Sequence, residues 1–270
     1  MGQKNAGTKK EDRRLMMARR SYAGIIKSSF IAAGVLGFAA SAHADEYTTG
    51  MQQFTGGPGT ELELSANVAL TTDYVFRGIS QTLQDPAVSG GFDASYGIFY
   101  LGTWASNVDF GGTDDVEIDY YGGVAPTWAG IDFDFSILAY TYPGGDTDTI
   151  WEGMFAMSKS FMDDKLSLGW ANYFELENGD YWVPELSAGY TFDKVSIFTP
   201  TLSGVIGWVD YDTDASSYTY WNVGMSLGFY KDDMFTLDLR YWDSDLSAAG
   251  CGGDIDLCDE RVVGTLSASF

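Results

Sequence analysis

Histidine is nearly absent from this sequence, since the only one is His43, within an N-terminal segment that has the features of an export signal. Without another imidazole, the chain lacks the usual base of a Ser-His or Asp-His mechanism and the commonest protein ligand for transition metals. Paired carboxylates such as Asp132 and Asp134 could do acid-base chemistry, but so acidic a chain contains such pairs by chance. The sequence therefore predicts no enzymatic activity, no catalytic residue, no metal site and no cofactor.

Cysteine is also scarce, with only Cys251 and Cys258 in the chain. Their spacing fits neither a CxxC redox motif nor a zinc pattern, and two thiolates without histidine make a poor structural metal site. In an oxidising compartment we expect a disulfide between them. Closing this eight-residue ring would stabilise the fold by roughly 2.5 kcal/mol, so the bond would rigidify one loop without determining the fold.

Long hydrophobic runs are missing as well, because no segment approaches the roughly 20 apolar residues that a membrane-spanning helix needs. The apolar run Phe30–Ala40 follows Arg19, Arg20 and Lys27 and ends in Ala42-His43-Ala44. A basic region, a short apolar run and small residues at the end are typical of a cleaved secretory signal. The sequence therefore predicts export, with cleavage after Ala44.

Three parts are predicted along the chain. Residues 1–44 form the signal peptide, and residues 1–15 could precede the true start because two methionines follow them directly. Residues 45–60, rich in Gly and Thr, are predicted to be a flexible periplasmic leader. Residues 61–270 are predicted to form one transmembrane β-barrel.

Basic residues are few after position 44, where 7 remain against 36 acidic residues, a formal net charge of −29. So acidic a surface repels nucleic acid and anionic lipid headgroups and favours cations. The expected partners are outer-membrane lipid, the barrel-assembly machinery, and small hydrophilic solutes or cations, with no nucleic acid. The sequence does not set the oligomeric state.

What the sequence has in abundance is period-two alternation, which is typical of β-strands. Between residues 217 and 230, for example, Trp221 and Val223 lie on one face while Asn222 and Gly224 lie on the other. The alternation predicts about twelve strands, with ten or fourteen as alternatives. The predicted strands are 62–76, 87–96, 98–106, 115–126, 131–142, 150–161, 165–174, 181–192, 200–210, 217–230, 234–243 and 259–270.

The connections between these strands alternate between short turns and longer acidic loops. Outer-membrane barrels have this arrangement, with an even number of strands, short periplasmic turns and longer external loops. The longer loops are predicted at Gly78–Pro86, Asn107–Asp114, Pro143–Thr149, Glu175–Asp180, Tyr211–Ser216 and Ser244–Cys258. We therefore expect an all-β, antiparallel transmembrane barrel in the bacterial outer membrane. The alternative is a secreted soluble β-sandwich or barrel, which would have to bury the many large apolar side chains inside.

The segment from Ser65 to Thr82 reads Ser-Ala-Asn-Val-Ala-Leu-Thr-Thr-Asp-Tyr-Val-Phe-Arg-Gly-Ile-Ser-Gln-Thr, and it resembles the opening of the TorF-type porins. The similarity runs from about residue 62 to Phe270, whose terminal aromatic ring in an alternating last strand is a recognition signal for outer-membrane barrel assembly. The resemblance implies a barrel with a porin role. It implies little about the solute.

If the apolar residues face lipid, the opposite face of each strand lines the lumen. A basic residue on the lipid face would cost about 2–4 kcal/mol at the membrane midplane, so the consistent register of the charged residues supports this orientation. The predicted pore-lining set has ten carboxylates and three arginines: Glu63, Asp73, Arg77, Asp93, Glu117, Asp119, Asp132, Asp134, Glu152, Glu185, Asp238, Arg240 and Arg261. These charges could form a permeation path, or they could form salt bridges that plug a narrow barrel.

The function predicted from these features is passive diffusion of small hydrophilic solutes through a porin-like channel. Cations would be preferred because carboxylates outnumber arginines in the lumen. One alternative is a plugged outer-membrane barrel with a structural or surface-interaction role. A further alternative is a secreted soluble β-sandwich that binds a ligand.

Overall fold

The computed structural model describes residues 61–211 and 217–270, so the predicted signal and leader lie outside the described residues. The described residues form fifteen strands and two single-turn 3-10 helices, Lys231–Asp233 and Ile255–Leu257. The strands are β1 Leu62–Thr71, β2 Val75–Phe76, β3 Ile79–Ser80, β4 Ala87–Tyr96, β5 Phe99–Asn107, β6 Val116–Val124, β7 Thr127–Trp128, β8 Ile131–Thr141, β9 Ile150–Phe161, β10 Leu166–Glu175, β11 Tyr181–Thr191, β12 Phe198–Tyr211, β13 Tyr218–Phe229, β14 Phe235–Ser244 and β15 Arg261–Ser269.

Twelve of these strands are long and close into a single antiparallel barrel. Each long strand pairs with its neighbours along the chain, β6 pairs with β8 across the short β7, and β1 pairs with β15. Closure pairs each of the twelve long strands on both sides, so that none of them is a free sheet edge. The predicted all-β barrel of about twelve strands is confirmed, and the β-sandwich alternative is wrong. In the described ranges, no helix has the length and hydropathy to span a membrane.

The predicted short turns lie at one end of the barrel and follow simple backbone rules. Between β7 and β8, Trp128 pairs with Ile131, and both intervening residues have positive φ, 55° at Ala129 and 72° at Gly130. Two consecutive positive φ values are the pattern of a type I′ turn, whose twist matches that of the flanking strands. The two described chain ends meet at this same end of the barrel, where the amide of Phe270 donates to the carbonyl of Ala66.

The two faces of the barrel wall differ as the alternation predicts. In β13, Tyr220, Asn222 and Ser226 are buried inside, whereas Trp221 and Val223 are exposed on the outer face. Four tryptophans lie on the outer face near the strand ends that carry the long loops, and Trp182 packs edge-on against Trp208 with ring centroids 5.9 Å apart. The four are Trp151, Trp182, Trp208 and Trp221. Apolar outer faces with aromatic girdles are what outer-membrane barrels show.

One predicted strand and one predicted loop are wrong. The first strand ends at Thr71 and not at residue 76. The segment after it, predicted to be an external loop from Gly78 to Pro86, turns into the barrel, and all residues from Asp73 to Thr82 are buried. The physical reason is that residues 75–80 pair with one another in a small hairpin. Residues 75 and 76 keep the alternation of a strand, but they lie inside the barrel and not in its wall.

Candidate functional site

The segment that turns inwards is the central feature of the lumen, and we call residues 74–82 the inward hairpin. Val75 pairs with Ser80 and Phe76 with Ile79, which places Arg77 and Gly78 at the tip. A closed barrel of about eight strands is filled by its own side chains. Twelve strands enclose more space, and the inward hairpin occupies part of it, in the half of the lumen nearer the long loops.

The tip of the inward hairpin has an unusual backbone. Both of its residues have positive φ, 45° at Arg77 and 81° at Gly78. Glycine adopts this conformation freely, and a Cβ at Gly78 would also lie only 2.9 Å from the Cβ of Ser244 on the wall. For a residue with a side chain, this conformation costs on the order of 1–2 kcal/mol. The turn therefore disfavours arginine at the tip, and the contacts of the Arg77 side chain must compensate for that cost.

The guanidinium of Arg77 lies in a site made of one carboxylate and three aromatic rings. Its Nη2 donates to Oε1 of Glu152 at 3.0 Å, and the two side chains are only 2% and 0% exposed. Its Cζ lies 4.8, 5.0 and 5.8 Å from the ring centroids of Phe76, Tyr173 and Tyr181. Cations within about 6 Å of a ring face are attracted by its quadrupole. We call Glu152, Tyr173 and Tyr181, which belong to adjacent wall strands, the wall cage.

The base of the inward hairpin is fixed by Asp73. Its Oδ1 accepts hydrogen bonds from the hydroxyls of Ser80 at 2.6 Å and Thr82 at 3.0 Å. Its Oδ2 accepts a hydrogen bond from Nη1 of Arg261 at 2.8 Å, in an ion pair that is almost fully buried. Asp73 therefore ties both ends of the hairpin to the last strand of the barrel.

The structure contains the expected disulfide between Cys251 and Cys258, and the ring it closes packs beside the hairpin base. Within the ring, the carbonyl of Asp256 accepts hydrogen bonds from Nη2 of Arg261 at 2.6 Å and from Nε2 of Gln84 at 2.5 Å. The disulfide loop thus shares Arg261 with Asp73. Through Arg261, the disulfide loop therefore helps to hold the base of the inward hairpin in the lumen.

Phenols bond most of the other lumen carboxylates. Glu117 accepts hydrogen bonds from Tyr74 of the hairpin and from Tyr142, both at 2.6 Å. Neutral phenols can solvate a carboxylate without cancelling its charge. The further pairs are Tyr140 with Glu152 at 3.0 Å, Tyr121 with Asp93 at 2.5 Å, Tyr100 with Asp134 at 2.7 Å, and Tyr220 with Glu185.

The remaining predicted lumen charges lie farther from the hairpin. Arg240 donates to Asp238 at 3.2 Å and to Asn222 at 2.7 Å, and both ionic side chains are buried. Asp119 is buried on the inner face of β6. Asp132 is half-buried and accepts from Thr127 at 2.6 Å, while Glu63 is exposed near the start of β1. All of the predicted residues except the exposed Glu63 are buried or half-buried, and each of the three arginines pairs with a carboxylate.

The sequence reasoning missed the tyrosines of this interior. Tyr140, Tyr173 and Tyr181 are almost fully buried, although their rings are large and aromatic. Tyr140 and Tyr181 have the same strand register as charged residues already assigned to the lumen, since Tyr140 follows Asp134 by six residues on β8 and Tyr181 precedes Glu185 by four on β11. Register was the available signal, and it outweighs the tendency to place every aromatic residue on the outer face.

Tight packing of these phenol pairs leads to a first prediction. A Cβ at Gly102 would overlap both the ring of Tyr121 and the carboxylate of Asp93. We expect Gly102→Ala to separate this pair and to destabilise the barrel by about 1–3 kcal/mol, as overpacking does. The measurement is the temperature at which the folded, faster-migrating band disappears on a detergent gel. Gly112→Ala is the control, because a Cβ there meets no atom within 4 Å, and an equal loss in both variants would contradict the packing account.

The closed twelve-strand barrel with a polar interior defines a porin-like fold. The chain belongs to the Gcw_chp family, described as "Bacterial protein of unknown function", which it matches over residues 55–270. No curated protein matches it in sequence. The narrower resemblance to TorF-type porins stays a prediction.

Two solved structures show the same fold. The KdgM porin is similar with a TM-score of 0.53 and 8% identity, over 76% of this chain and 98% of that chain. The structure described as "KdgM porin in complex with disordered oligogalacturonate" has a TM-score of 0.51 and 10% identity, over 77% of this chain and 98% of that chain. At such low identity the likeness concerns the fold alone.

Proposed function

We propose that this protein is a non-enzymatic outer-membrane channel that lets small hydrophilic solutes diffuse passively and prefers cations. The observation that carries the proposal is the excess of carboxylates over arginines among the predicted lumen residues. The three arginines pair with Glu152, Asp238 and Asp73, so within residues 61–211 and 217–270 seven of the ten predicted lumen carboxylates have no arginine ion pair. Like charges in a confined path repel anions before they enter.

The outer surface supports placement in a membrane. Side chains such as Leu62, Leu101 and Val262 are more than half exposed on the outer face of the barrel, where water would be a poor solvent for them. An apolar band with tryptophans at its long-loop end is what an outer-membrane barrel presents to a bilayer. We propose outer-membrane lipid as the surrounding medium and the terminal Phe270 as the signal for barrel assembly.

A second candidate function follows from the inward hairpin. Because Arg77 and Glu152 form a buried ion pair inside the lumen, the hairpin could act as a permanent plug, and the barrel would then have a structural or surface-interaction role. The two candidates differ in one property, which is ionic conductance. A permanent plug predicts folded protein that never conducts.

Charge selectivity tests the proposed function directly. In planar bilayers under a salt gradient, we expect a reversal potential of cation-selective sign that shrinks at high ionic strength. Joint neutralisation of Glu117, Asp119, Asp132 and Asp134 to Gln or Asn should reduce this potential, because charges act over only about 8 Å at physiological ionic strength and these four face the lumen. Folded, heat-modifiable protein should still be obtained.

The matched control neutralises four exposed loop residues, Asp115, Asp146, Asp148 and Glu177. It changes the net charge equally but leaves the lumen intact, so the reversal potential should change little. Anion selectivity of the unaltered protein would refute cation preference. An absence of conductance in folded protein, including variants with an altered hairpin, would favour the plugged barrel.

A further inference from the structure

The site that holds Arg77 is built mainly by the barrel wall and only partly by the hairpin. Glu152 lies on β9, Tyr173 on β10 and Tyr181 on β11, three strands that pair with one another in this order. Tyr140 of the adjacent β8 donates a hydrogen bond to Oε2 of Glu152 at 3.0 Å and fixes the carboxylate. Only Phe76 comes from the hairpin itself. The wall cage therefore consists of wall residues alone, and the hairpin supplies only the third ring around Arg77.

Arg77 is an incompletely bonded occupant of this cage. Its Nη2 donates to Glu152, but its Nε is buried and has no hydrogen-bond acceptor among the residues that the structure describes. A buried donor without an acceptor is unfavourable, because water would have satisfied it. The positive φ at the same residue adds backbone strain. Both features weaken the seating of Arg77, so a solute cation of the same chemistry can compete with it even though Arg77 is tethered beside the cage.

From this geometry we propose that the wall cage is a binding site for guanidinium-bearing solutes and that Arg77 occupies it as a built-in competitor. The proposal rests on the proposed channel function and names a substrate class for it. A solute enters the cage when the inward hairpin withdraws. The hairpin closes the path again when Arg77 returns.

The chemistry of the cage favours guanidinium over other cations. Guanidinium is planar, stacks on aromatic faces and forms two parallel hydrogen bonds with a carboxylate, and it is less strongly hydrated than an ammonium group. A metal ion would instead need several oxygen ligands. In the described part of the chain, no three Asp, Glu, His or Cys side chains are close enough to hold one.

Binding of methylguanidinium by detergent-solubilised protein tests the proposal, with heat-modifiable migration as proof of folding. By titration calorimetry, Arg77→Ala should bind methylguanidinium chloride saturably, whereas the unaltered protein should bind it far more weakly because Arg77 competes. Adding Tyr173→Leu and Tyr181→Leu to the Arg77→Ala variant should weaken binding at least about tenfold, since two cation–π contacts are lost. Tyr190→Leu, on the outer face of β11, is the matched aromatic control and should leave binding unchanged.

A second variant tests whether the binding site belongs to the barrel wall or is only the cavity that remains when the Arg77 side chain is removed. In the hairpin-replacement variant, Gly-Ser-Gly-Ser stands in place of residues 74–85, and Asp73 is kept so that Arg261 retains its partner. The proposal requires this variant to bind methylguanidinium as well, and potassium chloride at equal concentration should not compete. The proposal would be overturned if Arg77→Ala bound methylguanidinium and the hairpin-replacement variant did not. It would also be overturned if binding survived the loss of both tyrosines.

Conductance is measured on the same proteins, so that the two proposals can fail separately. If the hairpin-replacement variant binds methylguanidinium but conducts no ions, the cage stands and the channel function is wrong. If it conducts but binds no methylguanidinium, the channel stands and the guanidinium site is wrong.

Discussion

Single-channel conductance should rise several-fold when the inward hairpin is removed by the hairpin-replacement variant. The hairpin fills the lumen near the long loops with the buried residues 74–82, and its tip contacts three neighbouring strands of the wall. Its removal should widen the passage, because the diameter of a barrel grows with the number of strands and twelve strands enclose more space than eight. The four-residue linker can close the gap, because Thr71 and Ala87 are paired neighbours at the ends of β1 and β4.

The control for this experiment introduces the same kind of linker elsewhere on the same end of the barrel. Residues 111–113 are exposed, so replacing them with Ser-Gly-Ser should leave conductance unchanged. Planar-bilayer recordings of both variants and of the unaltered protein provide the comparison. Equal conductance in all three would mean that the hairpin does not limit the path.

The barrel itself could be predicted because its physical cause is local. Each strand has one face toward lipid and one toward the interior, so the period of two is present in every segment and can be read without knowing the partner strand. The strand β13, for example, lies at Tyr218–Phe229 against a predicted 217–230. The even number of such segments and the alternation of short and long connections predicted that the sheet closes into a barrel.

The inward hairpin could not be predicted in the same way. Residues 72–76 continue the alternation of β1, and the same pattern satisfies either a longer wall strand or a small hairpin that leaves the wall. What decides between them is the fit of Arg77 to Glu152, 75 positions later, and of Asp73 to Arg261, 188 positions later. Pairings at such separations depend on the closed barrel and are not visible in any local segment.

For the lumen charges, the sequence predicts the face of the wall on which they lie but not the partners with which they pair. Register predicts Glu117, Glu152 and Glu185 on the inner face, and all three side chains are buried. Register does not state which charges neutralise one another, so the path and the plug are equal alternatives in the sequence, and the pairs that the three arginines form are compatible with both. The excess of carboxylates over arginines remains the basis for expecting cations.

Neutralising Glu152 should release the inward hairpin. Glu152→Gln keeps the size of the side chain and an acceptor for Tyr140, but it removes the charge that balances Arg77. Breaking a buried ion pair on one side costs about 3–5 kcal/mol, because the other charge remains buried without compensation. If the hairpin leaves, Arg77 regains water and most of that cost is avoided. The equilibrium should therefore shift toward the open form by roughly two orders of magnitude or more.

Trypsin provides a readout of that release which is independent of conductance, because it cleaves after arginine. In the unaltered protein Arg77 is 3% exposed and should resist cleavage, whereas in Glu152→Gln a cut before Gly78 should appear, together with a higher conductance. Glu177→Gln, an exposed neutralisation in the loop after β10, should show neither change. Uncut Glu152→Gln protein with a lower unfolding temperature would mean that the hairpin cannot leave the lumen, and that the ion pair stabilises a fixed plug. Cleavage with raised conductance would instead show that the ion pair between Arg77 and Glu152 holds the inward hairpin in its closed position.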